Sequence, residues 1–253
     1  MHGIRGFLRK ETVEFLRTWR IWVLGGFLIF FALSSPLLAK MTPEILASVG
    51  TGQPGLVIKI PDPTWRDAYA QWIKNLSQIG TMIVIVVAAG SVASEVTSGT
   101  AQLVLAKPVS RAGFVVAKFV ALALYVAVLG ALGTAVVQAE TYAVFGSAPA
   151  AELWRSSGLW LAGALLLSAV AVLASTAMPT LAAVGVSMLA FLLLPVAAIW
   201  PDAASYSPAG LIGMPARVVT GAQVDMGWPL ATSVAVAIVV LTAACGVFSR
   251  REL

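Results

Sequence analysis

Charge is scarce in this chain. Of its 253 residues only 11% are Asp, Glu, Lys or Arg, where a soluble domain carries about a quarter. With 59% hydrophobic residues, that shortfall excludes an ordinary water-soluble domain. Cysteine is scarcer still. The single Cys245 falls inside an apolar run, so no intrachain disulfide can form and the redox compartment cannot be read from cysteine usage. The one histidine, His2, reads as a solvated residue and excludes any site built from several imidazoles, the H-E-x-x-H metal motif among them. Seven methionines are scattered rather than arrayed as copper ligands. No G-x-x-x-x-G-K-[ST] phosphate loop occurs, so the chain cannot bind and hydrolyse ATP by that means. The absence of clustered Asp or His near the membrane surface argues against a lipid transferase.

Long apolar runs are what the chain does have. Six of them, over about 21–39, 78–94, 114–138, 155–175, 180–200 and 228–248, match the length of roughly 20 residues that crosses a bilayer. They are continuous rather than alternating, which excludes a transmembrane β-barrel. The fold class is an all-α membrane protein of six transmembrane helices, a single domain over 1–253. The central thirds of the six runs carry no Asp, Glu, Lys, Arg or His. An ionisable group there would cost about 2.5–3.5 kcal/mol and usually marks an ion path or proton relay. Its absence argues against a proton- or sodium-driven carrier and favours an apolar or amphipathic substrate. The segments expected on the cytoplasmic side hold ten Lys or Arg against four acids, and the outer ones six against seven. Both termini are therefore expected in the cytoplasm. The net charge of +5 reads as membrane topology rather than affinity for nucleic acid.

The connecting segments carry further expectations. Residues 1–20 read as an amphipathic interfacial helix, with Ile4, Leu8, Phe15 and Trp19 on one stripe and Arg9, Lys10, Arg17 and Arg20 opposite. Residues 40–77 form a long outer segment, a loop at first. A helix is expected from Thr64, which has capping-box spacing with Asp67. Its stripe Trp65, Tyr69, Trp72, Leu76 and Ile79 suits an aromatic belt at the outer interface. Small residues from Ala88 to Ser94 permit close helix approach. Lys118 is expected to snorkel to the cytoplasmic surface. Residues 139–154 are expected as an outer loop containing Glu140 and Glu152, and 176–180 as a tight inner turn. Residues 201–227, broken by proline and glycine, suggest outer re-entrant or interfacial helices bearing Leu211, Ile212, Met214, Val218 and Val219.

The first cytoplasmic loop, 95–113, organises the rest. Gly99-Thr100 can open a short helix, and Lys107, preceding a proline, should stop it near Ala106. Gly99 suits a sharp backbone turn, Pro108 sets the angle to the next span, and Ser110 can cap that span. Glu95 and Arg111 sit at the two span ends, where they can pair or meet a partner. In order, Glu95, Ser98-Gly99-Thr100, the leucine-rich step with Leu103, Pro108-Val109-Ser110-Arg111 and Ala117-Lys118 resemble the loop of type-2 ABC exporter permeases. In that family the loop is a coupling helix that docks into an ATPase. The resemblance implies that Glu95, Ser98, Gly99, Thr100, Leu103, Pro108, Ser110 and Arg111 form the ATPase-coupling element. It further implies a cytoplasmic (inner) membrane location, two separate ABC ATPase subunits and a second permease copy in a homodimer. The chain itself would bind no cofactor, with ATP and Mg²⁺ held by the ATPase. The expected function is export of a hydrophobic or amphipathic substrate: a drug, an antibiotic or a lipid. The alternatives are a permease for metalloenzyme maturation or polysaccharide export, or a non-transporting membrane scaffold.

Overall fold

A computed structural model describes residues 19–50, 62–105 and 110–251. The expected interfacial helix at 1–20 therefore lies almost wholly outside the described residues. Ten α-helices are described: α1 (Trp19–Gly50), α2 (Trp65–Asn75), α3 (Thr81–Thr97), α4 (Thr100–Leu105), α5 (Arg111–Phe145), α6 (Ala150–Ala177), α7 (Thr180–Ala197), α8 (Pro201–Tyr206), α9 (Pro208–Val219) and α10 (Gly227–Arg250). Six spans are long and apolar enough to cross a membrane, α2 and α3 counting together as one. The protein is an all-α, six-span membrane protein.

The first span runs well past the expected boundary at 39. Its helix continues to Gly50 in spite of two internal prolines, Pro36 and Pro43. A hydroxyl residue precedes each proline. Ser35 Oγ donates to Phe31 O at 2.5 Å and Thr42 Oγ1 to Leu38 O at 2.6 Å. Each is the i−4 back-bond of a helical hydroxyl, and its acceptor lies one residue before the carbonyl, of Ala32 or Ala39, that the missing proline N–H leaves open.

The second span differs more. The segment from Thr64 is not a separate interfacial helix. The Asp67 carboxylate accepts from Thr64 N at 2.7 Å and from Thr64 Oγ1 at 2.9 Å, which fixes the expected start. From there α2 runs into α3 through a π turn, Leu76–Gly80. The aromatic-belt reading fails for Tyr69 and Trp72, both fully buried in the bundle. The π turn inserts one extra residue, and the buried stripe changes register with it. Leu76, Gly80 and Val84 face inward, whereas Ile79 turns outward. Thr81 Oγ1 donates to Leu76 O at 3.2 Å across the turn and accepts the Trp160 indole N–H at 3.1 Å.

The third span is also longer than expected. α5 has 35 residues, roughly 50 Å at the helical rise. It closes on Gly146, whose φ of 71° gives the left-handed cap that glycine adopts freely. The expected outer loop at 139–154 is thus only the link 146–149, and Glu140 and Glu152 stand on helices. Two glycines of α5 seat indoles. A Cβ on Gly133 would lie 2.8 Å from the Trp72 ring, and one on Gly130 would lie 3.1 Å from Trp160.

α6 occupies the centre, packed against α3, α5, α7, α9 and α10. The small residues of the second span lie in this packing. Ala88, Ala89, Ser91 and Ala93 are buried, and Ser175 Oγ of α6 accepts from Val92 N at 3.1 Å and Ala93 N at 2.8 Å. The link Met178–Pro179 forms the expected tight turn into α7. Between the last two spans, α8 and α9 follow one another. α9 buries Leu211, Met214 and Val218 beside Leu159 of α6, with Val219 also buried and Ile212 half-buried.

Candidate functional site

Alternation of the spans brings one set of helix termini to a common end, here the loop end: the last turns of α3, α6 and α10 and the first turns of α5. α4 hangs from it. Gly99 makes the turn from α3 with a φ of 72°, a conformation open to glycine and costly for other residues. Ser98 Oγ and Thr100 Oγ1 lie 2.9 Å apart, and both donate to Glu95 O at 3.3 Å. The short helix runs Thr100–Leu105, less than two turns, and packs on α3 with Ala101 buried and Thr100 and Gln102 exposed. The backbone of Leu103 belongs to this helix. The Leu103 side chain and the whole of Lys107 and Pro108 are outside the described residues. Ser110 caps α5 as expected, its Oγ accepting from Gly113 N at 3.0 Å.

The electrostatics depart from the sequence reading in two places. Glu95 does not pair with Arg111. Its partner is Lys118, Nζ to Oε1 at 2.5 Å, with the two side chains 12% and 4% exposed. Lys118 therefore does not snorkel outward. The loss of water around its ammonium is offset by the paired carboxylate. The Phe114 ring, one turn earlier on α5, lies 5.0 Å from Lys118 Nζ and adds a cation–π contact. Phe114 in turn stacks on Phe248 of α10, centroids 5.4 Å apart and planes at 10°.

Arg111 has a different task. Its Nη1 donates to Ser249 O at 3.0 Å and to Arg251 O at 2.6 Å, meeting carbonyls that the end of α10 leaves open. Arg251 repeats the device on α6, donating from Nη1 to Thr176 O at 2.7 Å. Both guanidiniums also stand where a helix macrodipole favours a cation. The result is a platform in which α5 holds α10, α10 holds α6, and α5 holds α3 through the buried pair.

Of the residues singled out in the sequence, Glu95, Ser98, Gly99, Thr100, Ser110 and Arg111 meet at this end. Lys118, part of the same motif, gains a partner that the motif does not announce, and Phe114, Phe248 and Arg251 complete this end. Only the i, i+4 spacing of Phe114 and Lys118 offered a local signal. Among the described residues no group of three His, Cys, Asp or Glu is arranged to hold a metal.

Sequence comparison agrees with a membrane-spanning protein. Over 239 residues the chain is 24% identical to the "Uncharacterized transmembrane protein YxlG" of Bacillus subtilis (strain 168), covering 92% of each chain. It also matches, over residues 57–253, the family described as "Protein of unknown function (DUF2705)". That match takes in five of the six spans and the whole loop-end platform, and the protein belongs to this family.

Proposed function

We propose that this chain is the membrane-spanning permease subunit of an ATP-driven type-2 ABC exporter in the cytoplasmic membrane. One observation carries the reading. α4 is a short helix suspended between two spans, and the helix ends around it are joined by Glu95–Lys118, Arg111 and Arg251. A load applied to α4 reaches α3 directly and α5, α6 and α10 through those bonds. Rigid elements joined in this way are what a two-state gating scheme needs. The chain carries no phosphate loop. Energy then comes from two separate ATPase subunits that hold ATP and Mg²⁺, and the chain is not itself an enzyme. Six spans are half a transport unit in that family, so a second copy completes it. The substrate is a hydrophobic or amphipathic molecule, because the span centres offer no fixed charge.

The test is co-expression with an ABC ATPase encoded beside it. The complex should co-purify, hydrolyse ATP and drive export from vesicles, and a Leu103→Asp variant should insert normally yet lose ATPase binding or transport. A complex that binds the ATPase and moves nothing would make the chain a membrane scaffold instead. Orientation is checked by cysteines at Ala148 and Gly221, which should label from outside, and at Thr97 and Ser249, which should label only from inside. Outside labelling at Thr97 would overturn the reading.

A further inference from the structure

At the opposite end, away from α4, a pocket of about 150 Å³ opens between the first turns of α6 and the link from α9 to α10. Glu152 and Arg155 line it from α6. Gly221, Gln223 and Met226 close it from the other side. The charges are incompletely paired. Glu152 Oε1 meets Arg66 at 4.0 Å, a long contact. Glu152 Oε2 is buried, with no hydrogen-bond partner among the described residues. Arg155 is exposed and forms no ion pair among the described residues, although it stands one turn from Glu152 on the same helix. The pocket thus offers a carboxylate held on its open side only by a long contact and one guanidinium that lacks an acceptor.

Its depth is marked by aromatics. Trp154, between the two charged residues in sequence, is 42% exposed, and Trp228, two residues beyond Met226, is 60% exposed. Exposed tryptophans of a six-span protein belong at the level of lipid headgroups. The ligand that satisfies both charges at this depth is a zwitterion with its anion toward Arg155 and its cation toward Glu152. Among the described residues no aromatic ring lines the pocket, and quaternary ammonium groups are held by aromatic cages. The cation is therefore a primary ammonium, which can donate a hydrogen bond to the Glu152 carboxylate at its accessible oxygen. The volume equals that of about five waters, room for a phosphate and a two-carbon amine while the acyl chains stay in the bilayer.

We propose that Glu152 and Arg155 bind the headgroup of a phosphatidylethanolamine-type lipid. The site needs neither ATPase nor transport to act. The experiment uses the full chain purified in detergent and exposed to equal amounts of phosphatidylethanolamine, phosphatidylcholine and phosphatidylglycerol, with retained lipid counted by native mass spectrometry. The parent should retain the ethanolamine lipid over the choline lipid by about tenfold, the worth of one hydrogen bond to a charged group. Glu152→Gln should bring that ratio to about one and raise retention of phosphatidylglycerol. Arg155→Ala should lower retention of all three. Arg66→Ala, which removes the Glu152 contact from outside the pocket, should leave the ratio standing. Should Glu152→Gln fail to fold, Ala222→Trp fills the pocket from an exposed link and should abolish the preference. A parent ratio near one overturns the proposal, as does a tenfold preference that survives Glu152→Gln or Ala222→Trp. Soluble O-phosphoethanolamine retained as well as the lipid would overturn the assignment to a lipid.

Discussion

α6 and α10 are both apolar helices of similar length, yet 67% of the most apolar stretch of α6 is buried in the bundle against 11% for α10. In a soluble protein such a pair would differ in composition, because water would select against an exposed face of valine and isoleucine. In a bilayer the lipid tails are as apolar as the side chains, so hydropathy carries no information about which helix is central. What separates the two is shape and hydroxyl placement. α6 buries Gly163, Ala164, Ser168, Ala171 and Ser175 where other helices come close. α10 exposes Val234, Ile238 and Val239. The difference teaches that the interior of this protein is defined by close approach and by hydrogen bonds rather than by greasiness.

That contrast can be broken or sharpened by substitution. The largest effect is expected where an interior charge loses its partner. Lys118→Met leaves the Glu95 carboxylate buried without its ammonium and should cost about 3–5 kcal/mol. Adding Glu95→Gln to the same chain should recover most of the loss, whereas Arg250→Met, at an exposed cation, should change little. Thermal unfolding of the purified chain reads all three.

Next comes cavity formation. Leu167→Ala, at a side chain 1% exposed, should cost about 2–5 kcal/mol. Leu189→Ala on α7, 56% exposed, should cost far less, since lipid fills the space that the lost side chain leaves. Equal losses at the two positions would show that the α7 face is covered by protein rather than by lipid.

The smallest effect concerns added volume. Gly133→Ala drives a methyl into the Trp72 ring and should destabilise by about 1–3 kcal/mol. Gly246→Ala, where a Cβ meets nothing within 4 Å, should be neutral or slightly stabilising. Melting temperatures of the two variants, measured side by side, check the sign.

The local features were legible from the chain alone. The Thr64–Asp67 start, the turn at Gly99, the Ser110 cap and the turn at Met178–Pro179 each depend on residues a few positions apart, and residue type decides them. The features that were not legible depend on packing. Glu95 and Lys118 are 23 residues apart and meet only because α3 and α5 lie side by side. Arg111 looked like the nearer candidate at a span start, but its guanidinium is taken up by carbonyls of α10. Tyr69 and Trp72 fit an interfacial belt by residue type. They are buried because α2 continues into α3 through a π turn that no propensity rule announces. Glu152 and Arg155 fell at the edge of an expected loop, so their shared pocket had no signature in the sequence.

The bonds that tie the loop end together also impose an order on its making. A chain is inserted from its first span onward, and contacts between near neighbours in sequence close sooner than distant ones. Glu95 and Lys118 can meet once α3 and α5 are both in the membrane. Arg111 must wait for an acceptor 138 residues further on, and Thr176 O for a donor 75 residues further on. Until α10 arrives, the nascent bundle is held at that end by the Glu95–Lys118 pair and by the Ser175 bonds between α3 and α6, with Phe114 lacking the ring it will stack against. The last span is the latch of that end, and a chain stopped before it lacks both guanidinium bonds.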